Sequence, residues 1–186
     1  GDADGILTPS TINPIRQSSW GSNNLKPIEI GESAIFLQNR GTTVRDLAFN
    51  YQVDGYSGNE LSRYGAHLLE GFEIVDWAFQ KAPHSIVWMV RDDGIVVGLT
   101  YVKEEGIIAW HRHDFSGGLV ENVCVIEGDD YDEIYFIVKR TVNSKVVRYG
   151  EKMENREFRG VSEGFHGRDA ALVYDGGNVA ATRMTR

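Results

Sequence analysis

The sequence predicts an all-β fold, a β-propeller-like repeat of four-stranded antiparallel meanders, on three observations. Short apolar runs alternate with turn chemistry through most of the 186 residues, which is the signature of many short strands. Twenty-one glycines stand against 4 prolines, so turns are many and stiff linkers few. The segment from Val75 lies over the segment from Val123 without a gap, at an offset of 48 residues. A period of roughly 20–50 residues marks repeat architectures.

Taken in chain order, a weaker upstream copy comes first. Ile35-Phe36-Leu37 stands 51 residues before Ile86-Val87-Trp88, and Val44 to Tyr51 then falls near Ile95 to Val102. Leu61, Tyr64, Leu68 and Leu69 share one face at helical spacing, which predicts a short helix over 61–69. In the clearest copy, strands are predicted over Val75–Phe79, Ile86–Val90, Ile95–Val102 and Ile107–Arg112. Asp92-Asp93-Gly94 and Glu104-Glu105-Gly106 supply the joints between them. In the following copy Val75 falls on Val123, Ile86 on Ile134, Trp88 on Phe136, Val90 on Val138, Tyr101 on Tyr149 and Trp110 on Phe158. Its joints are Gly128-Asp129-Asp130 and Asn143-Ser144.

The runs Ile86–Val90 and Ile134–Val138 lack the polar alternation of a half-exposed strand, so cover is expected on both faces. Stacked blades give that cover; a sandwich is the alternative. One β-repeat domain over 1–186 is expected, with approximate repeats 30–70, 72–118 and 120–160 and flanking segments 1–29 and 161–186. Closed propellers typically use about 4–8 blades, so three repeats leave the ring incomplete. The opening at Gly1 and the close after Arg183-Met184-Thr185-Arg186 read as a piece of something longer.

Composition narrows the function classes. With 41% hydrophobic and 25% charged residues the chain has the profile of a folded domain. No run approaches the ~20 apolar residues needed to span a bilayer. A single cysteine, Cys124, excludes an internal disulfide framework and a zinc site built on several thiolates. A formal charge of −8 repels phosphate backbones, which argues against tight sequence-independent DNA binding.

Candidate chemistry is sparse. His111 and His113 share one strand face, with Trp110 and Arg112 on the other. Two imidazoles can start a metal site, but His84, Asp114 and Glu121 lack diagnostic spacing for a third ligand, and the structural reading has the histidines and Arg112 satisfying buried carbonyls. No metal and no cofactor is therefore predicted. Asp92-Asp93 reads as a solvated turn. The Asp2-x-Asp4-Gly5 start lacks the rest of a calcium loop, and the glycine pairs match no phosphate-binding loop. Cys124, among Val123, Val125 and Ile126, reads as an inert core thiol. Lys139, Arg140, Lys145 and Arg148 flank a hairpin with no acid between Ile134 and Gly150, a patch suited to an assembly contact or to passing DNA. Tyr51, Tyr56, Phe72, Phe115 and Phe165 are candidates for surfaces that meet neighbours.

The runs GSNNLKPIEIGESAIFLQNRGTTVRDLAFNYQVDGYSGNELS, HLLEGFEIVDWAFQKAPHSIVWMVRDDGIVVGLTY, WHRH and DEIYFIVKRTVNSKVVRYGEKM together resemble the tail hub or nozzle proteins of short-tailed bacteriophages, also called packaged-DNA stabilisation proteins. The resemblance covers roughly residues 1 to 175. It implies a non-enzymatic virion structural protein made in the host cytoplasm. It also implies a ring-forming, homo-oligomeric subunit beside other tail and portal proteins, helping close the virion after packaging and forming part of the DNA exit conduit. The rival expectation is a carbohydrate-binding or glycoside-cleaving propeller using Trp88, Trp110 and nearby acids, although no pair of carboxylates is singled out for that chemistry.

Overall fold

The computed structural model describes residue 16 and residues 19–39, 42–52 and 54–154. Within them the chain forms three antiparallel meanders in sequence order. The first joins β1 (Ile28–Ile30), β2 (Ser33–Leu37), β3 (Val44–Asn50) and β4 (Gly55–Ser57). A 3₁₀ turn over Ser62–Gly65 and a single α-helical turn, α1 (Ala66–Leu69), follow where the helical spacing predicted them. The second meander joins β5 (Ile74–Gln80), β6 (Ile86–Arg91), β7 (Val96–Val102) and β8 (Ile107–His113). The third joins β9 (Gly118–Ile126), β10 (Glu133–Val142) and β11 (Lys145–Met153). A fourth strand expected there, around Phe158, lies outside the described residues.

Turn chemistry fixes these hairpins. Gly94 holds φ +82 between β6 and β7, a conformation that glycine adopts without the Cβ clash of other residues. Asn143 and Ser144 both have positive φ between β10 and β11, the two-residue loop whose twist matches antiparallel strands. No helix among the described residues is long and apolar enough to cross a membrane.

Strand alternation sorts the core into two layers. Ile35, Leu37 and Val44 of the first sheet pack with Val87, Met89, Val97, Leu99 and Tyr101 of the second. On the opposite face of that second sheet, Ile86, Trp88, Val90 and Val96 pack with Val120, Val123, Ile134, Phe136 and Val138 of the third. Every residue of β6 is buried. Its unbroken apolar run follows from cover on both faces, as expected.

Few polar contacts cross the layers, and each is satisfied. Buried Asp46 of β3 accepts hydrogen bonds from the Tyr101 hydroxyl across the first interface and from the Asn59 N–H. Burial, followed by the neighbouring Asp46 charge and hydrogen bond, pushes the Tyr101 hydroxyl up to about 12. Asp76 of β5 accepts from the Val123 N–H of β9 at 2.9 Å, tying the first strands of the second and third sheets together. Asp132 accepts from the Lys81 and Ala82 N–H groups.

The 48-residue repeat needs correction. Ile86 pairs with Gln80 and Thr100, so a uniform shift would pair Ile134 with Gly128 and Arg148. It pairs instead with Val125 and Met153. Tyr101 is buried while Tyr149 is exposed. More telling, Trp88 and Phe136 face each other with ring centroids 6.2 Å apart. Residues equated by the offset therefore meet across an interface instead of pointing the same way along the stack. Side chains alternate with period two, so an even step relates β6 to the wrong face of β10.

The 51-residue step, visible between the first two copies, keeps direction. Ile35 and Leu37 face the following sheet, as do Ile86 and Trp88. Carried on, it sets Val87 on Val138, both fully buried and both facing the preceding sheet.

Candidate functional site

The third sheet has one face against the second and another turned outward. Cross-strand pairing assigns the outward set: Lys139 stands opposite Leu119 and Arg148, Tyr135 opposite Cys124 and Lys152, Ile137 opposite Asn122, and Glu133 opposite Ile126. Ile126 and Val146 are more than half exposed and Ile137 is 40% exposed, while half-exposed Leu119 lies beside Gly94 in the β6–β7 turn. The expectation that Cys124 is a core thiol is wrong: it is exposed. Val123 and Val125 take the inward positions around it, and alternation turns the thiol outward.

Charged pairs interleave with these apolar groups. The Arg148 guanidinium donates two hydrogen bonds to Glu121, at 2.6 and 3.1 Å. Lys152 and the Tyr135 hydroxyl both donate to Glu133. On the inward side, where β10 and β11 approach their turn, Arg140 clamps Glu151 at 2.6 and 2.9 Å and donates to the Ser116 carbonyl. Hydrogen bonding from Arg148 holds the Glu121 carboxyl below its usual range, and bonding from Lys152 does the same for Glu133. The partners shift in the complementary direction: Glu151 raises Arg140 and Glu133 raises Lys152.

This changes the meaning of the basic hairpin. Of Lys139, Arg140, Lys145 and Arg148, both arginines hold carboxylates supplied from outside the Ile134–Gly150 stretch that looked acid-free. Their charge is spent inside the protein. Lys139 and Lys145 hold no carboxylate among the described residues and stay as the cationic part of the hairpin, beside a mixed apolar and ion-paired sheet face of the composition found in protein contacts. Leu119, Ile126, Ile137 and Val146 were not among the residues expected at a surface. Their period-two placement along β9, β10 and β11 was the available signal, and it was hidden by reading those runs as covered on both sides.

His111 and His113 do share one face. Their ring nitrogens His111 Nδ1 and His113 Nε2 lie 2.7 Å apart in a shared hydrogen bond, and both rings meet the Trp88 indole edge-on. His111 lies over Gly98, where an added Cβ would stand 1.9 Å from its ring. The imidazoles thus bond each other, and the Thr100 hydroxyl lies 3.4 Å from His111 Nε2. Asp114 instead engages Arg112 at 2.9 Å, Glu121 is taken by Arg148, and no group of three or more metal-binding side chains occurs among the described residues.

The remaining candidates separate clearly. Asp92 is exposed as expected, whereas Asp93 is half-buried and engaged by the Arg91 guanidinium. Tyr51 and Tyr56 are exposed beside Phe49 in an edge-to-face trio. Phe115 is a core residue packed on Phe136, and half-buried Phe72 lies under the Arg91 guanidinium. Phe165 lies outside the described residues. Trp88 is buried, and Trp110 is turned to the first interface with its Nε1–H donating to the Leu61 carbonyl at 3.0 Å. No protein-family model matches the chain, and a search of curated proteins finds no match.

Proposed function

We propose that the chain is a non-enzymatic structural component of a short-tailed bacteriophage tail, part of a ring-forming hub or nozzle subunit that helps close the virion after packaging and forms part of the DNA exit conduit. The carrying observation is the outward face of the third sheet, where half-exposed Leu119, Ile126 and Val146 lie among ion pairs. Apolar groups bordered by satisfied charges are the composition of a protein contact surface. Three meanders stacked in chain order, with a 51-residue step that preserves direction, fit an arc of propeller blades. The sequence resemblance supplies the identity of the assembly. An acidic chain in which Arg45, Arg91, Arg112, Arg140 and Arg148 each hold a carboxylate suits a conduit, since it gives DNA little to adhere to.

The sugar-binding rival loses its residues, because neither buried Trp88 nor the tethered Trp110 presents a ring face for stacking on a sugar. The test uses the full-length protein that carries this chain, mixed with its portal assembly, with mass measured by light scattering and particles imaged. A ring bound to the portal is expected. Full-length protein that stays monomeric and never joins portal assemblies overturns the proposal.

A further inference from the structure

A cleft of about 570 Å³ opens beside the first interface, lined by residues of β3, the 58–64 segment and the β7–β8 turn. Its walls are preformed. Segment 58–62 is tied alongside β3, with the Asp46 N–H donating to the Asn59 carbonyl, the Leu61 N–H to the Val44 carbonyl and the Val44 N–H to the Ser62 hydroxyl. The volume falls in the range of small-molecule sites.

Arg63 of this cleft differs from the paired arginines elsewhere in the described residues. Arg45, Arg91, Arg112, Arg140 and Arg148 each hold a carboxylate within 4 Å. Arg63 and Lys103, which both line the cleft, hold none among the described residues; Lys103 donates to the Ser33 hydroxyl. Arg45 is matched by Glu60 at 3.8 Å, and buried Asp46 is held at the floor by Tyr101 and Asn59. Three cations against two carboxylates leave one positive charge in the lining. That balance matches a monoanion better than a dianionic phosphate. Tyr64, largely exposed at the rim, offers a ring face, and the Asn59 amide and Glu60 supply polar groups for hydroxyls.

We propose that this cleft binds a sugar-sized, carboxylate-bearing polyol, a uronic acid in chemical class, with Arg63 and Lys103 on its carboxylate and Tyr64 against its ring. The assignment is independent of the tail reading and of the tryptophans. It is tested on the 186-residue chain by titration calorimetry with galacturonate, galactose and inorganic phosphate. Saturable galacturonate binding is expected, with galactose at least tenfold weaker. Because Arg63 is exposed and makes no side-chain hydrogen bond or ion pair with other described residues, Arg63→Ala is expected to leave the far-ultraviolet circular dichroism unchanged while weakening galacturonate about tenfold, the order of one charge-assisted hydrogen bond. Lys103→Ala is expected to do the same. A free uronic acid and a polymeric one separate a metabolite from a surface glycan as the source. Absence of saturable galacturonate binding, equal affinity for galactose or phosphate, or unchanged affinity in folded Arg63→Ala overturns the assignment.

Discussion

Tyr101→Phe tests the polar link across the first interface that ends on a buried carboxylate. The substitution removes one oxygen from a buried ring and leaves the Asp46 carboxylate with the Asn59 N–H as its remaining described donor. A hydrogen bond to a charged group contributes roughly 1.5–3 kcal/mol, so the variant is expected to be less stable by about 2 kcal/mol at neutral pH. The alkaline range adds a second signature. The fold raises the Tyr101 hydroxyl from 10.0 to about 12, so its contribution is complete below pH 10. It is lost as pH rises toward 12, because the unfolded chain releases that proton first. A two-unit shift corresponds to about 2.7 kcal/mol, enough to erase the wild-type advantage. Urea unfolding followed by tryptophan fluorescence, at a series of pH values, measures both. The gap between wild type and variant is expected to close with rising pH; the other tyrosines and Cys124 are common to both proteins and cancel. Parallel curves from neutral pH into the tyrosine titration range refute the coupling of Tyr101 to Asp46.

Other expectations follow from the same contacts. Phe136 is almost fully buried against Trp88 and Phe115, so Phe136→Ala is expected to cost about 3–5 kcal/mol, seen as a lower urea midpoint with an unchanged slope; a cost under about 1 kcal/mol contradicts the packing of the second layer. Native protein is expected to react with one equivalent of a thiol reagent through exposed Cys124, and protection until denaturant is added would return that thiol to the core. Burial raises the Asp93 carboxyl, but hydrogen bonds from Arg91 and the Ile95 N–H, with the Arg91 charge, bring it below 3.8 overall. Its stabilisation is therefore present above the unfolded value and lost as pH falls through the lower folded one. Asp93→Asn is expected to flatten that acid limb by about 1 kcal/mol or less, and unchanged acid sensitivity counts against the Arg91 contact.

Local chemistry made the second meander legible. Its predicted strands differ from the observed ones by a residue at most at each end, because apolar runs and glycine-bearing turns act over a few residues. The helical turn over 62–69 was legible for the same reason. Faces were harder. Val123 and Cys124 look equivalent in an apolar string, yet one is core and the other exposed, because a neighbouring sheet covers only one side of β9. Ion pairs were harder again, since Glu121 reaches Arg148 and Glu151 reaches Arg140 only once three strands are registered. The Asp46–Tyr101 pair had a faint trace: a carboxylate at the same strand parity as Val44 must point into the core.

Parity also bears on how the stack ends. A stacked repeat is soluble on its own only if its terminal units turn polar faces outward. At one end of this stack the outward face carries Leu119, Ile126 and Val146; at the other, Phe49 and Tyr56 form part of an exposed aromatic trio. Neither has the composition of a solvated cap. Had the 48-residue offset set the geometry, Phe136 would stand where Trp88 stands, facing onward, and would need cover of its own. Instead Phe136 completes the second layer, and the onward face is left to Ile137 and the ion pairs beside it. An end face mixing apolar groups with satisfied charges tolerates water and can also accept a protein surface, the combination that the proposed ring assembly requires.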